Sequence, residues 1–594
     1  MKNNPSLITL LALALLLGLF TLADFGESWD ELQFYKYADH ALESYAAWFQ
    51  SGEIIITGNT YDNYGPAFVM LTQLAARALN VLDPGWLLSD LRHLIYFVTF
   101  LGGVAAFRAI ARRLMNGTAA FAATLLFMTQ PLFWGHAFVS PKDIPFLSLF
   151  LISIALGLRM VDSELILEGH LPRNLIWLTG LWMLSLLILF VTPRFLDDRL
   201  SEAIQNASAN PAQPLAAPMR AIASDFGRVD SQIYVQKARI FFIWSKLVYL
   251  FISTLVFGLL YRKHYPAIFT LFAPQVILAS FALGITASIR VLAPLAGLLV
   301  TYCALRNVGK KAFPLLISYG ALAFVIMLAS WPYLWPDPLV RLGESFQVMS
   351  QYPWKGQVLF DGEYYASTDL PLSYLPLLLA LQFTEPVWPL FALGLFALRK
   401  SNFALIATLV WLILPLAGII LTHAPLYDNT RQIFFLLPPV FLVAGLGVDW
   451  LLRRITRPVM RALILGLLIL PGIIAGARLH PYEYVYYNSL IGNPEGRFEL
   501  DYWATSYREA AEYLNESAPA NAIVEVIGPA HIVELYIRND LVVLPDNLQT
   551  GKTPDYAIIT SRYGFDRQLF TEAEVVYRVE RAGMTFAVIK NTKH

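Results

Sequence analysis

The chain has a single cysteine, Cys303, among 594 residues, which excludes an internal disulfide and any cysteine-based metal cluster. Cys303 lies in an apolar run and reads as a packing residue. Charge is equally scarce. Asp, Glu, Lys and Arg make up 14% of the residues, against about 25% in soluble domains. The 43 basic and 43 acidic residues cancel, so there is no electrostatic case for a nucleic-acid partner. No internal repeat is present, and repeats are the usual mark of a secondary transporter. No low-complexity tract occurs either, although the Ala/Pro/Asn-rich stretch 204–218 reads as a flexible part of a loop. What is abundant is apolar: 57% of the residues, with a mean hydropathy of +0.54. That composition describes a polytopic α-helical membrane protein.

A spanning helix needs about 20 mostly apolar residues. On that basis about thirteen transmembrane helices are expected. They fall at 6–23, 91–107, 117–134, 144–159, 174–192, 241–260, 266–283, 291–305, 312–330, 372–398, 402–421, 432–450 and 462–478. The tenth carries Pro376, Pro386 and Pro389 and reads as a re-entrant helix followed by a span. The first follows Lys2 without a small-residue cleavage site and reads as an uncleaved anchor. Short loops with Arg108-Arg112-Arg113, Arg262-Lys263, Arg306-Lys310-Lys311, Arg399-Lys400 and Arg453-Arg454-Arg457-Arg461 then share one side, which the positive-inside rule makes cytoplasmic. The loop 160–173 is mixed in charge. The N-terminus is expected in the cytoplasm and the C-terminus outside.

Everything long falls on the external side: loops 24–90, 193–240 and 331–371, the short loops 135–143 and 422–431, and the tail. Residues 1–478 form the membrane domain. Residues 479–594 alternate strand-like runs (522–527, 541–544, 556–559, 586–589) with a helical segment at 506–515, as a small C-terminal α/β domain does. The stretch 66–82 is amphipathic and reads as an external interfacial helix.

The stretch Ser28-Trp-Asp-Glu-Leu-Gln-Phe34 puts two carboxylates, Asp30 and Glu31, where the chain leaves the membrane. Acidic groups there need water, protein or a ligand. Phe34, Tyr37, Ala38, Ala41, Tyr45, Trp48 and Phe49 then share one helical face, predicting a helix lying on the membrane with its aromatic side down. A structural alternative stays open, because Ser28-x-x-Glu31 is also a capping box. Lys142-Asp143 can likewise be a clamp at a helix start, and Arg290 an interfacial anchor. His136 and His423 read first as loop or packing histidines, and the aromatic clusters 331–335 and 482–487 as interfacial belts.

Ser28–Phe34 resembles the acidic motif of the dolichyl-phosphate-mannose protein mannosyltransferases and their bacterial relatives. Gly135-His-Ala-Phe-Val-Ser-Pro-Lys-Asp-Ile-Pro145 resembles the second-loop motif of the bacterial group, and Tyr427-Asp-Asn-Thr-Arg-Gln-Ile-Phe-Phe-Leu-Leu-Pro438 resembles its later one. Asp369–Pro376 and Asp501–Ser506 are similar to further stretches. The motifs keep their order over most of the chain. Two positions depart from the pattern: Gln432 stands in place of His, and Ser140 in place of Asn.

The resemblance implies a GT-C glycosyltransferase that moves a hexosyl or pentosyl unit, with inversion, from a polyprenyl-phosphate-linked sugar donor to an acceptor hydroxyl. The acceptor can be protein, lipid or polysaccharide, and the reaction lies on the outer face of what would be a bacterial inner (plasma) membrane. Loops 24–90, 135–143 and 331–371 are expected to form an external cavity under the C-terminal domain. Asp30 is the candidate base, with Glu31 and Asp143 as further catalytic carboxylates. Arg431, Arg290 and Lys142 are candidates for the carrier phosphate. Asp30, Glu31 and Asp143 are also the donors a divalent metal cofactor would use. A transporter, or a non-catalytic scaffold whose tail binds a partner, remains the rival reading.

Overall fold

The computed structural model describes residues 5–163, 165, 172–209, 228–397, 403–545 and 553–593. Loop 160–173 beyond Ser163, the stretch 204–218 from 210 onward, and Arg399-Lys400 lie largely or wholly outside them. The chain divides into two compact units. One comprises Met1–Phe34, Leu71–Ala155 and Ser350–His594, and the other Tyr35–Met70 and Leu156–Met349.

Every expected span falls on helix, but fewer helices than expected have spanning length. Seven helical runs among the described residues are long and apolar enough to cross a membrane, or eight if the bent pair Pro266–Phe272 and Pro274–Ala287 counts as one span. Prolines and caps divide or shorten several of the expected spans. Asn116 accepts hydrogen bonds from Thr118 N and Ala119 N, so it starts a helix at Gly117 that ends at Met128. Pro131 opens a separate short helix, Pro131–Val139. The expected span 372–398 is two helices, Tyr374–Leu381 and Val387–Ala397. Pro438 sits at the start of Pro438–Leu452 and delays that helix past the expected 432.

In the first unit, Val387–Ala397 packs along Pro438–Leu452, and rings from several elements meet at Phe441, with Phe127, Phe133 and Phe383 each between 5.2 and 5.7 Å from it. The unit ends in a five-stranded sheet. Its strands are β3 (Ile523–Ile527), β4 (Val542–Pro545), β5 (Tyr556–Thr560), β6 (Glu574–Arg581) and β7 (Met584–Asn591), in the order β4-β3-β5-β7-β6. β3 is parallel to β4 and β5, and β7 is antiparallel to β5 and β6. The short helix Ala530–Tyr536 makes the β3-to-β4 crossover that a parallel pair requires. Ile527, Ala557, Ile559 and Val588 form the apolar core, closed by Phe565, Leu569 and Phe570. A hairpin, β1 (Gln357–Phe360) and β2 (Glu363–Ala366), lies earlier in the same unit.

The second unit corrects the reading of the helix after the acidic pair. Helix Glu31–Ser51 forms as the periodicity predicts, but the aromatic side packs on protein. Tyr37 donates to the Tyr64 carbonyl at 2.5 Å, Tyr45 to the Ala329 carbonyl at 2.8 Å, and Trp335 lies 5.0 Å from the Tyr45 ring and 5.7 Å from Trp48. A 3.6-residue apolar stripe is satisfied equally by lipid and by a protein core. Helix Ala67–Leu82 is present as expected. The 34-residue helix Ser231–His264 pairs with Arg173–Phe190 through Trp182, stacked 4.4 Å from Phe257.

Candidate functional site

The chain from Asp24 to Asp30 lies flat against a later segment. Trp29 N donates to the Trp503 carbonyl at 2.9 Å, and a Cβ on Gly26 would stand 2.2 Å from the Thr505 carbonyl oxygen, so only glycine fits. Glu31 turns inward. Its carboxylate accepts from Ser28 N and Ser28 Oγ, both at 2.9 Å, and meets His93 Nε2 at 3.2 Å. This is the side-chain half of the capping box, and it turns Glu31 to Ser28 and His93. Asp30 is different. Its carbonyl takes the first helical bond, from Phe34 N at 3.2 Å, while its carboxylate turns to Lys142 Nζ at 3.1 Å. The Asp30 side chain keeps 24% of its surface exposed, where Lys142 keeps 5%.

Lys142 and Asp143 are presented by the second motif. Helix Pro131–Val139 sits so close to the 3-10 turn Glu483–Val485 that a Cβ on Gly135 would stand 2.3 Å from Tyr484 N. Ser140 then caps the next helix. Asp143 N donates to Ser140 Oγ at 3.0 Å, and the hydroxyl donates to Asp143 Oδ2 at 3.3 Å. The Lys142 ammonium also lies 4.7 Å above the Phe34 ring. His136 is a core histidine, bonded to the Leu132 carbonyl at 2.8 Å and Tyr502 OH at 3.2 Å.

Arg431 ties the second and third motifs together. Its Nη1 donates to Asp143 Oδ2 at 3.2 Å, and its Nε and Nη2 donate to Asp428 Oδ2 at 3.1 and 2.6 Å. The guanidinium lies between the Trp503 and Tyr427 rings, 4.5 and 4.9 Å from their centres. Burial works against its charge, but Asp428 and Asp143 outweigh this and hold it protonated. The structure thus gives Arg431 two carboxylates in the place where an anion was expected.

The network continues into residues that the sequence did not single out. Arg562, just after β5, donates to Asp428 Oδ1 at 2.7 Å and to the Tyr502 carbonyl at 2.9 Å. Glu499 accepts from Asp428 N at 3.2 Å. Burial pushes the Glu499 carboxyl up to about 8 and that of Asp501 up to about 6. Asp428 and Asn429 carried one signal, since each sits in the quoted third motif and each adopts a left-handed φ, 53° and 63°. Arg562 carried none. Around this knot the buried donors Trp503 Nε1, Asn429 Nδ2 and Gln382 Nε2 make no hydrogen bond among the described residues. Polar atoms that deeply buried are normally satisfied.

The structure therefore brings together Asp30, Lys142, Asp143 and Arg431, and holds Glu31 one step behind them on His93. Arg290 belongs to the second unit, in the turn after helix Pro274–Ala287. As metal donors the three carboxylates diverge, to Lys142, to Ser28 and His93, and to Arg431. No group of three or more His, Cys, Asp or Glu side chains suited to a metal occurs among the described residues.

No family model matches the chain, and no curated protein matches it. Among solved structures it is similar to ArnT from Cupriavidus metallidurans in the apo state, with 13% identity and a TM-score of 0.46 over 99% of this chain and 98% of that one. It is similar to the same protein bound to undecaprenyl phosphate, at 12% identity and a TM-score of 0.45 over 100% and 99%. The archaeal oligosaccharyltransferase AglB from Archaeoglobus fulgidus, in complex with an inhibitory peptide and a dolichol-phosphate, is similar at 12% identity and a TM-score of 0.39, covering 91% of this chain and 64% of that one. None of the three reaches a TM-score of 0.5, so the function is read from this chain's own residues.

Proposed function

We propose that the protein is a GT-C-type membrane glycosyltransferase that takes a sugar from a polyprenyl-phosphate carrier and transfers it to an acceptor hydroxyl on the non-cytoplasmic face. The observation that carries this reading is the Asp30–Lys142 pair: a partly hydrated carboxylate beside a buried ammonium, at the edge of a fixed ionic network.

The chemistry follows from that pair. The acceptor oxygen forms its bond to the anomeric carbon while the bond from that carbon to the phosphate oxygen breaks. The electron pair leaves with the carrier phosphate, and the acceptor proton goes to Asp30. Lys142 stabilises the charge that develops on the phosphate. A phosphate that engages the Lys142 ammonium draws it from Asp30 and frees the carboxylate to meet the acceptor hydroxyl. Arg431 and Asp143 hold Lys142 in place rather than reacting. Glu31 fixes the start of the helix that carries Asp30. Arg290, in the second unit, stays a carrier-phosphate candidate on the sequence alone, and Arg290→Gln with unchanged donor affinity would remove it.

The purified protein, given a synthetic polyprenyl-phosphate hexose or pentose and a panel of protein, lipid and polysaccharide acceptors, should consume the donor and label an acceptor. Donor that stays intact with every acceptor would overturn the reading. Reporter fusions at residues 308, 400 and 594 test the orientation, with the first two expected in the cytoplasm and the last outside. A cytoplasmic signal at 594 would put the site on the wrong face.

A further inference from the structure

A polar cavity of about 240 Å³ lies beside the ionic network, and none of the residues discussed for catalysis explains it. Its walls are the β1–β2 hairpin, the segment 495–500 and the short helical segment 561–568. Tyr364 and Tyr563 supply aromatic surface, their rings 6.4 Å apart and tilted by 40°. Glu499, Ser561, Arg562 and Gln568 supply polar atoms. Two of those atoms are buried and make no hydrogen bond among the described residues, Ser561 Oγ and Arg562 Nε. The Arg562 side chain is nine-tenths buried, and its other nitrogens donate to Asp428 and the Tyr502 carbonyl. Tyr563 is also held at a φ of 61°, a conformation a bulky residue rarely adopts.

Size, charge and chemistry together define the ligand. The volume is below the roughly 300–1,000 Å³ of drug-sized pockets, which suits one small ring and not an extended chain. A peptide is normally taken along a strand edge or a groove. The cations of the wall already have partners: Arg562 is paired with Asp428, and Arg567 with Glu495. No surplus positive charge is left to select a phosphate. Burial favours the neutral form of Glu499, which can both donate and accept. Aromatic surface beside mixed donors and acceptors matches a sugar ring, with its apolar C–H face and its hydroxyl rim.

We propose that this cavity binds a neutral carbohydrate unit of the acceptor, so that the acceptor is a glycan, lipid-linked or polymeric, and not a polypeptide. This rests on the transferase reading. Arg562 is the physical link, since it lines the cavity, is bonded to Asp428, and lies with Cζ 5.8 Å from the ring of Trp29, the neighbour of Asp30.

The test is saturation-transfer NMR on the full chain in nanodiscs without donor, using methyl glycosides of glucose, galactose, mannose, N-acetylglucosamine and arabinose as probes. At least one should receive saturation from protein aromatic protons. The signal should fall about tenfold in Tyr364→Ala and in Gln568→Ala, both at exposed positions, and persist in Asp30→Asn. In the transfer assay, Tyr364→Ala should raise the acceptor KM about tenfold and leave the donor KM unchanged. Absence of transfer to every probe overturns the proposal, as does binding that both variants leave intact, or saturation of a Ser/Thr peptide in place of the sugars. If sugar binds here but the donor is never consumed, the transferase reading fails and the carbohydrate site stands.

Discussion

Two ionic systems in the first unit use the same residue types and differ in their access to water. In the network Arg431–Asp143–Asp428–Arg562 no side chain is more than 10% exposed, whereas Asp30, paired to Lys142, is 24% exposed. The difference sorts structure from chemistry. A buried pair has already lost its hydration, so separating its members leaves an uncompensated charge in a low-dielectric interior. A partly hydrated carboxylate can change partners at small cost, which is what a base must do. The two systems touch at consecutive residues, Lys142 and Asp143, so the rigid one can position the mobile one.

The sharpest way to break this comparison is to remove the centre of the rigid system. Arg431→Ala strands Asp143 and leaves Asp428 with Arg562 alone, and unfolding free energy should fall by about 3–5 kcal/mol. Arg431→Lys should fall between that variant and the wild type, because an ammonium cannot reproduce the fork. Denaturant melts in a fixed detergent would measure both, and an Arg431→Ala protein as stable as wild type would mean the network is not a strut.

Lys142→Ala tests the other side. It should lower turnover by about 10²–10³-fold, the usual worth of a positioned charge, with a much smaller change in stability. A large loss of stability with little loss of rate would reverse the roles assigned to the two systems.

The pH dependence of stability gives a smaller effect with a definite sign. Burial raises Glu499 to about 8 and Asp501 to about 6, so the folded state holds protons that the unfolded state has released. Their contribution is present below the unfolded carboxylate values and is lost as pH rises through the folded ones. Between about pH 5 and 8 the protein should therefore become less stable, and Glu499→Gln should flatten that slope. A melting temperature that rises across the window would contradict the assignment. Chelation should have the smallest effect, because Asp30, Glu31 and Asp143 turn to separate partners. Transfer that disappears on chelation and returns with magnesium or manganese would establish a metal there.

The sequence carried the membrane helices and most of the network, and for a physical reason. Apolar runs and charged residues at their ends are local features, and Asp30, Lys142, Asp143 and Arg431 each stand at such an end. Their convergence depends on close packing that local pattern does not encode, such as the approach of Gly26 to Thr505. Arg562 and Glu499 were illegible for the same reason: each sits in an ordinary stretch of the tail and joins the network through a contact with Asp428, 134 and 71 residues away. The aromatic face after Asp30 was legible as a face but not as to what covers it. Composition also does not register where Asn116, Pro131 and Pro438 start and stop helices, so the boundaries of several spans were not legible.

The central claim is that Asp30 is present for chemistry and not to cap a helix. Asn caps about as well as Asp, so Asp30→Asn separates the two. The decisive measurement is transfer from a synthetic polyprenyl-phosphate sugar by purified Asp30→Asn, with Glu31→Gln as the control and a thermal melt of each. The account predicts an unchanged melting temperature for Asp30→Asn with turnover slowed by about 10²–10⁴-fold, and a smaller loss for Glu31→Gln. An Asp30→Asn enzyme that transfers sugar at the wild-type rate would contradict it.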